Sequence, residues 1–88
     1  MNECSNEDLV ETMLGLTNEL LDRLGVMNVN ISEFERCRNI LLHKNREGYK
    51  NIRTNLYSGF RRLDEMGIDD KLINDLSSGL YLMSKSLC

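Results

Sequence analysis

Apolar residues recur at helical spacing in the first part of the chain. They fall at positions i, i+4, i+7, i+11 and i+15, which share one face of an α-helix: Leu9, Met13, Leu16, Leu20 and Leu24. Ser5 followed three residues later by Asp8 is typical of a helix start. Gly25 is typical of the left-handed residue that ends a helix. We therefore predict a first helix over residues 6–24.

The next segment predicts a loop and then a second helix. Residues 28–31 alternate polar and apolar side chains but are too few for a strand, so we expect an extended loop. Ser32 with Glu35 has the pattern of a capping box and predicts a helix over 33–47. We expect its core face to consist of Phe34, Cys37, Ile40 and Leu41. Gly48 is the predicted break, although an interior Gly costs only about 1 kcal/mol, so one helix bent at Gly48 is an alternative.

Two further helices follow from the same periodicity. The third is predicted over 49–66 and ends at Gly67. Its apolar positions are Tyr49, Ile52, Leu56, Phe60 and Leu63. The fourth is predicted over 70–86, with Asp69 as its N-cap. Its apolar positions are Leu72, Ile73, Leu76, Leu80, Met83 and Leu87.

Short connections favour antiparallel neighbours, so we predict an all-α fold, a compact bundle of about four short helices. The 15 Leu residues and the absence of Pro agree with helix throughout. With 41% hydrophobic and 28% charged residues the composition is that of a globular protein, which excludes a disordered tail. A chain of 88 residues has room for one core, so we expect a single helical domain over 1–88.

The net charge of −3 hides three blocks of opposite sign. Residues 1–36 contain eight acidic and two basic side chains, a balance of −6. Residues 37–62 contain seven basic and one acidic side chain, a balance of +6, and residues 63–88 return to −3. The distribution of charge along the chain is therefore a better guide to binding partners than the net charge.

Four acids of the first helix lie along one line opposite its apolar face: Asp8, Glu11, Glu19 and Asp22. Glu33 and Glu35 form a second acidic group at the start of the second helix. One hypothesis is a docking surface for a basic partner. The alternative is a solvated face that keeps the protein soluble.

The basic block predicts a second surface, along the third helix. Its members are Arg46, Lys50, Arg53, Tyr57 and Arg61. Cations interleaved with an aromatic ring can hold a phosphate backbone and stack on a base. Because the chain as a whole is acidic, the favoured alternative is that these cations pair with the acidic helices of the same chain.

Catalytic, metal and targeting patterns are lacking in the sequence. His43 has no recognisable nucleophile partner and there is no Gly-rich phosphate loop, so we expect a protein that is not an enzyme and needs no cofactor. Cys4, Cys37 and Cys88 show no CxxC spacing, and we expect reduced thiols rather than a metal site. The acidic N-terminus lacks the features of a signal peptide and no apolar run is long enough for a membrane span, so we expect a cytoplasmic protein.

Together these observations favour a small acidic cytoplasmic protein-binding module. Our hypothesis is an inhibitor, such as an immunity protein or antitoxin, that occludes the basic active-site cleft of a toxin such as a nuclease. The alternative is a dimeric helical nucleic-acid-binding regulator that uses the basic residues of the third helix. A further alternative is a self-associating bundle, a homodimer through the first helix or through Tyr81 and Leu82.

Overall fold

A computed structural model describes residues 7–87 and confirms the predicted all-α bundle. The helices are α1 (Glu7–Val26), α2 (Ser32–Leu42), α3 (Tyr49–Glu65) and α4 (Lys71–Ser84), with a 3-10 turn (Arg46–Gly48) that leads into α3. Residues 7–87 contain no strand. None of the helices in this range is both long enough and apolar enough to cross a membrane.

The four helices run alternately up and down. α1 packs against α2 and α4, and α3 packs against the same two helices, so α1 and α3 occupy opposite corners of the bundle. Two ion pairs mark one end: Arg23, late in α1, meets Asp70 just before α4, and Glu33, early in α2, meets Arg62 late in α3. The described part of the chain measures 46 × 20 × 19 Å along its principal axes.

Buried side chains from all four helices form one core, and most of the predicted core positions are confirmed. Thr17 is also buried on α1, where its Oγ1 donates a hydrogen bond of 2.7 Å to the Met13 carbonyl oxygen. Leu72 is the exception, since it is 46% exposed. Successive helix positions point about 100° apart, and α4 buries Ile73 instead of its neighbour Leu72.

The end of α1 differs from the prediction. Gly25 lies within the helix, and the left-handed residue is Asn28, with φ of 60°. The N–H of Val29 donates to the Leu24 carbonyl oxygen at 2.9 Å, as in a Schellman motif. The helix therefore extends two residues beyond the predicted end, because Val29 rather than Val26 is the apolar residue that returns to the core.

The break between α2 and α3 also lies elsewhere than predicted. α2 ends at Leu42, and the chain turns at Lys44, with φ of 52°, where the N–H of Asn45 donates to the Ile40 carbonyl oxygen at 3.1 Å. Gly48 has an ordinary negative φ of −81°. It is buried, and a Cβ there would lie 3.1 Å from Ile40 Cγ2, so close packing rather than a break accounts for this glycine.

The cap of α4 is shifted by one residue from the prediction. Asp70, not Asp69, is the N-cap, and its Oδ2 accepts a hydrogen bond of 3.1 Å from the N–H of Ile73. The same carboxylate binds Arg23, so one side chain caps α4 and joins it to α1. The contact with Arg23 is what favours Asp70 over Asp69 as the N-cap.

The predicted capping box of α2 is wrong. Ser32 is the first residue of the helix, and Ile31 precedes it as an N-cap without a side-chain acceptor. Ser32 Oγ instead contacts Glu33 Oε1 at 3.4 Å. Ile31 is fully buried, so apolar packing rather than a cap fixes the entry into α2.

Three aromatic rings connect α2, α3 and α4 through the core. The ring centroids of Phe34 and Phe60 are 6.2 Å apart, and those of Phe60 and Tyr81 are 6.0 Å apart. Tyr81 therefore packs within its own bundle. Of Tyr81 and Leu82, the two residues predicted for self-association, only Leu82 is exposed.

Candidate binding surfaces

The four acids of α1 form an exposed line, called here the acidic ridge: Asp8, Glu11, Glu19 and Asp22. They lie on the side of α1 opposite its buried residues and span about 21 Å along the helix axis. Within residues 7–87 none of the four makes an ion pair or a side-chain hydrogen bond. Gly15, midway along the line, adds no side chain to the ridge. The ridge is a convex, negatively charged surface open to a partner.

Glu33 and Glu35 do not form the second acidic group that the sequence suggests. Glu33 is buried, and its Oε2 accepts a hydrogen bond of 2.7 Å from Arg62 Nε. This bond holds the pKa of Glu33 below its usual value, against the opposing effect of burial. Glu35 is half-buried and faces a groove that it shares with Arg38. Glu33 therefore joins α2 to α3 and is not available to a partner.

The cations and Tyr57 of the basic block lie exposed along the start and length of α3 and are called here the basic stripe: Arg46, Lys50, Arg53, Tyr57 and Arg61. No carboxylate of residues 7–87 pairs with them, which corrects the expectation that they are neutralised by the acidic helices. For the acids of α1 the reason is geometric, since α1 and α3 occupy opposite corners of the bundle. The arginines that do pair are Arg23 and Arg62, outside the stripe.

Lys85 joins the basic stripe from a different helix. It follows α4 and lines a groove of about 330 Å³ together with Arg46, Lys50 and Arg53. Sequence reasoning did not associate Lys85 with the stripe, because it lies 32 residues beyond Arg53. The predicted antiparallel packing contained the necessary signal, since it places the end of the fourth helix beside the start of the third.

A second groove, of about 340 Å³, lies between α3 and α4 further along the stripe. Tyr57 and Arg61 line it from α3, and Asn74 and Ser78 line it from α4. The Tyr57 side chain is largely solvent-exposed, with a residue exposure of 59%. An aromatic face beside cations is a surface on which a planar group can stack.

Of the cysteines considered for a metal site, the structure describes Cys37 alone. Burial raises the pKa of the Cys37 thiol to about 12, with a smaller contribution from the charge of Glu33. His43 is exposed just beyond α2, and Cys4 and Cys88 lie outside the described residues. Across residues 7–87 no group of three or more metal-ligating side chains is found.

Two surfaces of opposite charge thus remain as candidates, one on α1 and one on α3 and the end of α4. No family model, no curated protein and no solved structure matches the chain.

Proposed function

We propose that the protein is a protein-binding inhibitor whose acidic ridge docks into the basic active-site cleft of a toxic enzyme such as a nuclease, in the manner of an immunity protein or antitoxin. The observation that supports this most is the ridge itself, in which four exposed carboxylates have no partner among residues 7–87. Like charges three or four residues apart on a helix destabilise it by a few tenths of a kcal/mol per pair. A basic partner relieves that repulsion.

The shape of the ridge suits such a partner. A single helix with its acids outward is convex, and a nuclease cleft that accommodates a phosphate backbone is concave and basic. The opposite side of α1 is fixed in the core by Met13, Leu20 and Leu24, all fully buried. The carboxylates are therefore presented on a rigid element, which limits the ordering cost of binding. Opposite charges across the interface also increase the association rate.

The experiment that tests this proposal compares two charge-reversed proteins. Glu11→Lys/Glu19→Lys inverts the middle of the ridge, and Asp64→Lys/Glu65→Lys makes the same change in net charge on exposed acids that lie away from it and likewise form no ion pair. We expect the control to retain capture of a basic enzyme from the native host and to inhibit it. The ridge variant is expected to lose both, while remaining folded, because its altered residues have no partner in the described chain.

Capture of the same enzyme by both variants would refute the proposal. Loss of capture by both the ridge variant and the control would mean that binding depends on the overall charge of the protein rather than on the ridge. Inhibition provides the decisive measurement, since an inhibitor that occupies the active site blocks turnover of a small nucleotide substrate as well as of nucleic acid.

The second candidate is a dimeric nucleic-acid-binding regulator, favoured by the exposed and unpaired state of the basic stripe. Under this hypothesis Arg53→Glu/Arg61→Glu abolishes retention of DNA or RNA at low salt, and the ridge variant retains it. If the wild-type protein shifts no nucleic acid at low salt, this candidate is wrong.

A further inference from the structure

One groove of the bundle is lined by four cations, three from the 3-10 turn and the start of α3 and one from the end of α4. Arg46 lies in the 3-10 turn that leads into α3, Lys50 and Arg53 lie one turn apart near the start of α3, and Lys85 directly follows α4. Among residues 7–87, Glu47 is the single carboxylate in the lining of this groove. We call it the basic groove.

The cations of the basic groove have no carboxylate partner within residues 7–87. Lys85 Nζ lies 5.4 Å from the centroid of the Tyr81 ring, a contact that orients its side chain without neutralising it. Arg46 and Lys50 also lie at the positive end of the α3 dipole, where a cation is unfavourable, and the first turn of α3 carries no acid. An anion in the groove would relieve both effects.

The floor of the groove is less polar than its rim. Tyr49 and Ser84 are buried there, and Leu87 is half-buried. The volume of about 330 Å³ lies in the range of small-ligand sites. Cations at the rim and an aromatic and an aliphatic side chain below them suit a ligand that combines a multiply charged anion with a flat or apolar body.

We propose that the basic groove binds a phosphate ester that carries at least two negative charges and a nucleotide-sized body. Arg46 and Arg53 would hold phosphate oxygens through paired N–H donors, which match the spacing of those oxygens. Lys50, from α3, and Lys85, directly after α4, add point charges. The ligand is either a free nucleotide or the terminal 5′-phosphate of a strand, because both present the same group.

This site is distinct from a surface that follows a nucleic-acid backbone along the basic stripe. Arg61 lies about 12 Å further along the helix axis than Arg53 and does not line the basic groove. A backbone-tracking surface uses the stripe over its whole length, whereas the basic groove concentrates four cations at one end. The proposal therefore predicts tight binding of a small anion, which a stripe does not require.

Calorimetric titration at low salt tests the proposal, with inorganic pyrophosphate and ADP as probes. We expect Arg53→Gln/Lys85→Gln to weaken binding of both probes by about tenfold or more, which corresponds to about 1.4 kcal/mol. Arg36→Gln/Lys44→Gln removes one arginine and one lysine of similar exposure outside the groove. We expect this control to stay within about twofold of the wild type.

A third probe distinguishes the two sources of the phosphate. A short single-stranded oligonucleotide with a 5′-phosphate is compared with the same strand ending in a 5′-hydroxyl. Preference for the 5′-phosphate strand over ADP identifies a strand end, and the reverse preference identifies a free nucleotide; both results support the groove.

Two results would overturn the proposal. One is the absence of any pyrophosphate or ADP binding up to millimolar concentration at low salt. The other is an equal loss in the groove variant and its control, which would mean that only total positive charge matters. Neither result bears on the acidic ridge, because that test measures capture and inhibition of a protein.

Discussion

Three residues with left-handed backbone end three of the helices, and they are chemically unlike. Asn28 has φ of 60°, Lys44 of 52° and Gly67 of 72°. Glycine adopts this conformation without a steric penalty and asparagine tolerates it, but a residue with a longer side chain does so at a cost of roughly 1–2 kcal/mol. Lys44 therefore stores conformational strain at the end of α2.

Replacing Lys44 with glycine removes that strain. Relief of the strain raises the free energy of unfolding, and the greater conformational entropy of glycine in the unfolded chain offsets part of that gain. We expect Lys44→Gly to raise the free energy of unfolding by about 1 kcal/mol at most. Urea unfolding monitored by circular dichroism measures the change. Lys44→Ala is the control, since it removes the charge but keeps the Cβ. A gain of equal size in both variants would trace the effect to charge and contradict the strain argument.

A pair of similar hexapeptides shows how far residue patterns predict helix ends. Both segments predict a helix that ends at glycine: LDRLGV over 21–26 and LDEMGI over 63–68. Only Gly67 ends one, because Ile68 folds back on the core directly after it. Val26 remains 78% exposed, and α1 continues to it. The position at which a helix ends is therefore set by the next apolar residue that can pack on the core. Which residue that is depends on tertiary packing.

At the scale of the elements, α2 and α3 approach closely at one point. Gly59 of α3 faces the ring of Phe34, and a Cβ at Gly59 would lie 2.6 Å from Phe34 Cζ and closer still to Cε1. Phe34 is fully buried and also packs on Phe60, so its ring has little room to move. The absence of a side chain at Gly59 sets the separation of the two helices.

A methyl group at Gly59 should force the helices apart. We expect Gly59→Ala to lower the free energy of unfolding by about 1–3 kcal/mol through overpacking. Gly79→Ala is the matched control on α4, where a Cβ meets nothing within 4 Å, and it should raise stability by up to about 1 kcal/mol. Thermal unfolding of the two variants measures the difference. Equal effects in both would mean that helix propensity, not contact with Phe34, governs the site.

The ion pair between Glu33 and Arg62 makes the contact of α2 with α3 dependent on pH. Because Arg62 holds the pKa of Glu33 below the usual 4.5, the carboxylate stabilises the folded state at every pH above about that value. The stabilisation is lost as the pH falls through the lower pKa of the folded state. We expect Glu33→Gln to be less stable than wild type at neutral pH and the difference to shrink below pH 4.5.

Unfolding in denaturant at a series of pH values measures this difference. Glu35→Gln serves as the control, since it removes the same charge two residues further along α2 where no ion pair is present. A stability difference for Glu33→Gln that stays constant from neutral pH into the acid range would show that the ion pair is not its source.

At the scale of the whole molecule, the periodicity of apolar residues predicts the bundle because each helix needs one buried face. The charge blocks likewise predict an acidic and a basic surface. Whether the two surfaces neutralise each other could not be predicted from the blocks. Ion pairs within the chain require adjacent helices, and α1 and α3 lie diagonally. Lys85 enters the basic groove for the same kind of reason, since only the packing of α4 on α3 brings it there.

The diagonal placement of α1 and α3 puts the acidic ridge and the basic stripe on opposite sides of the bundle, so the protein carries an electric dipole across its short dimension. A positively charged surface exerts a torque on such a dipole before any contact forms, and that torque turns α1 toward the surface. At physiological ionic strength this torque acts over about 8 Å, the Debye length. The bundle order, set by the packing of apolar side chains, thereby determines which face of the molecule a charged partner meets first.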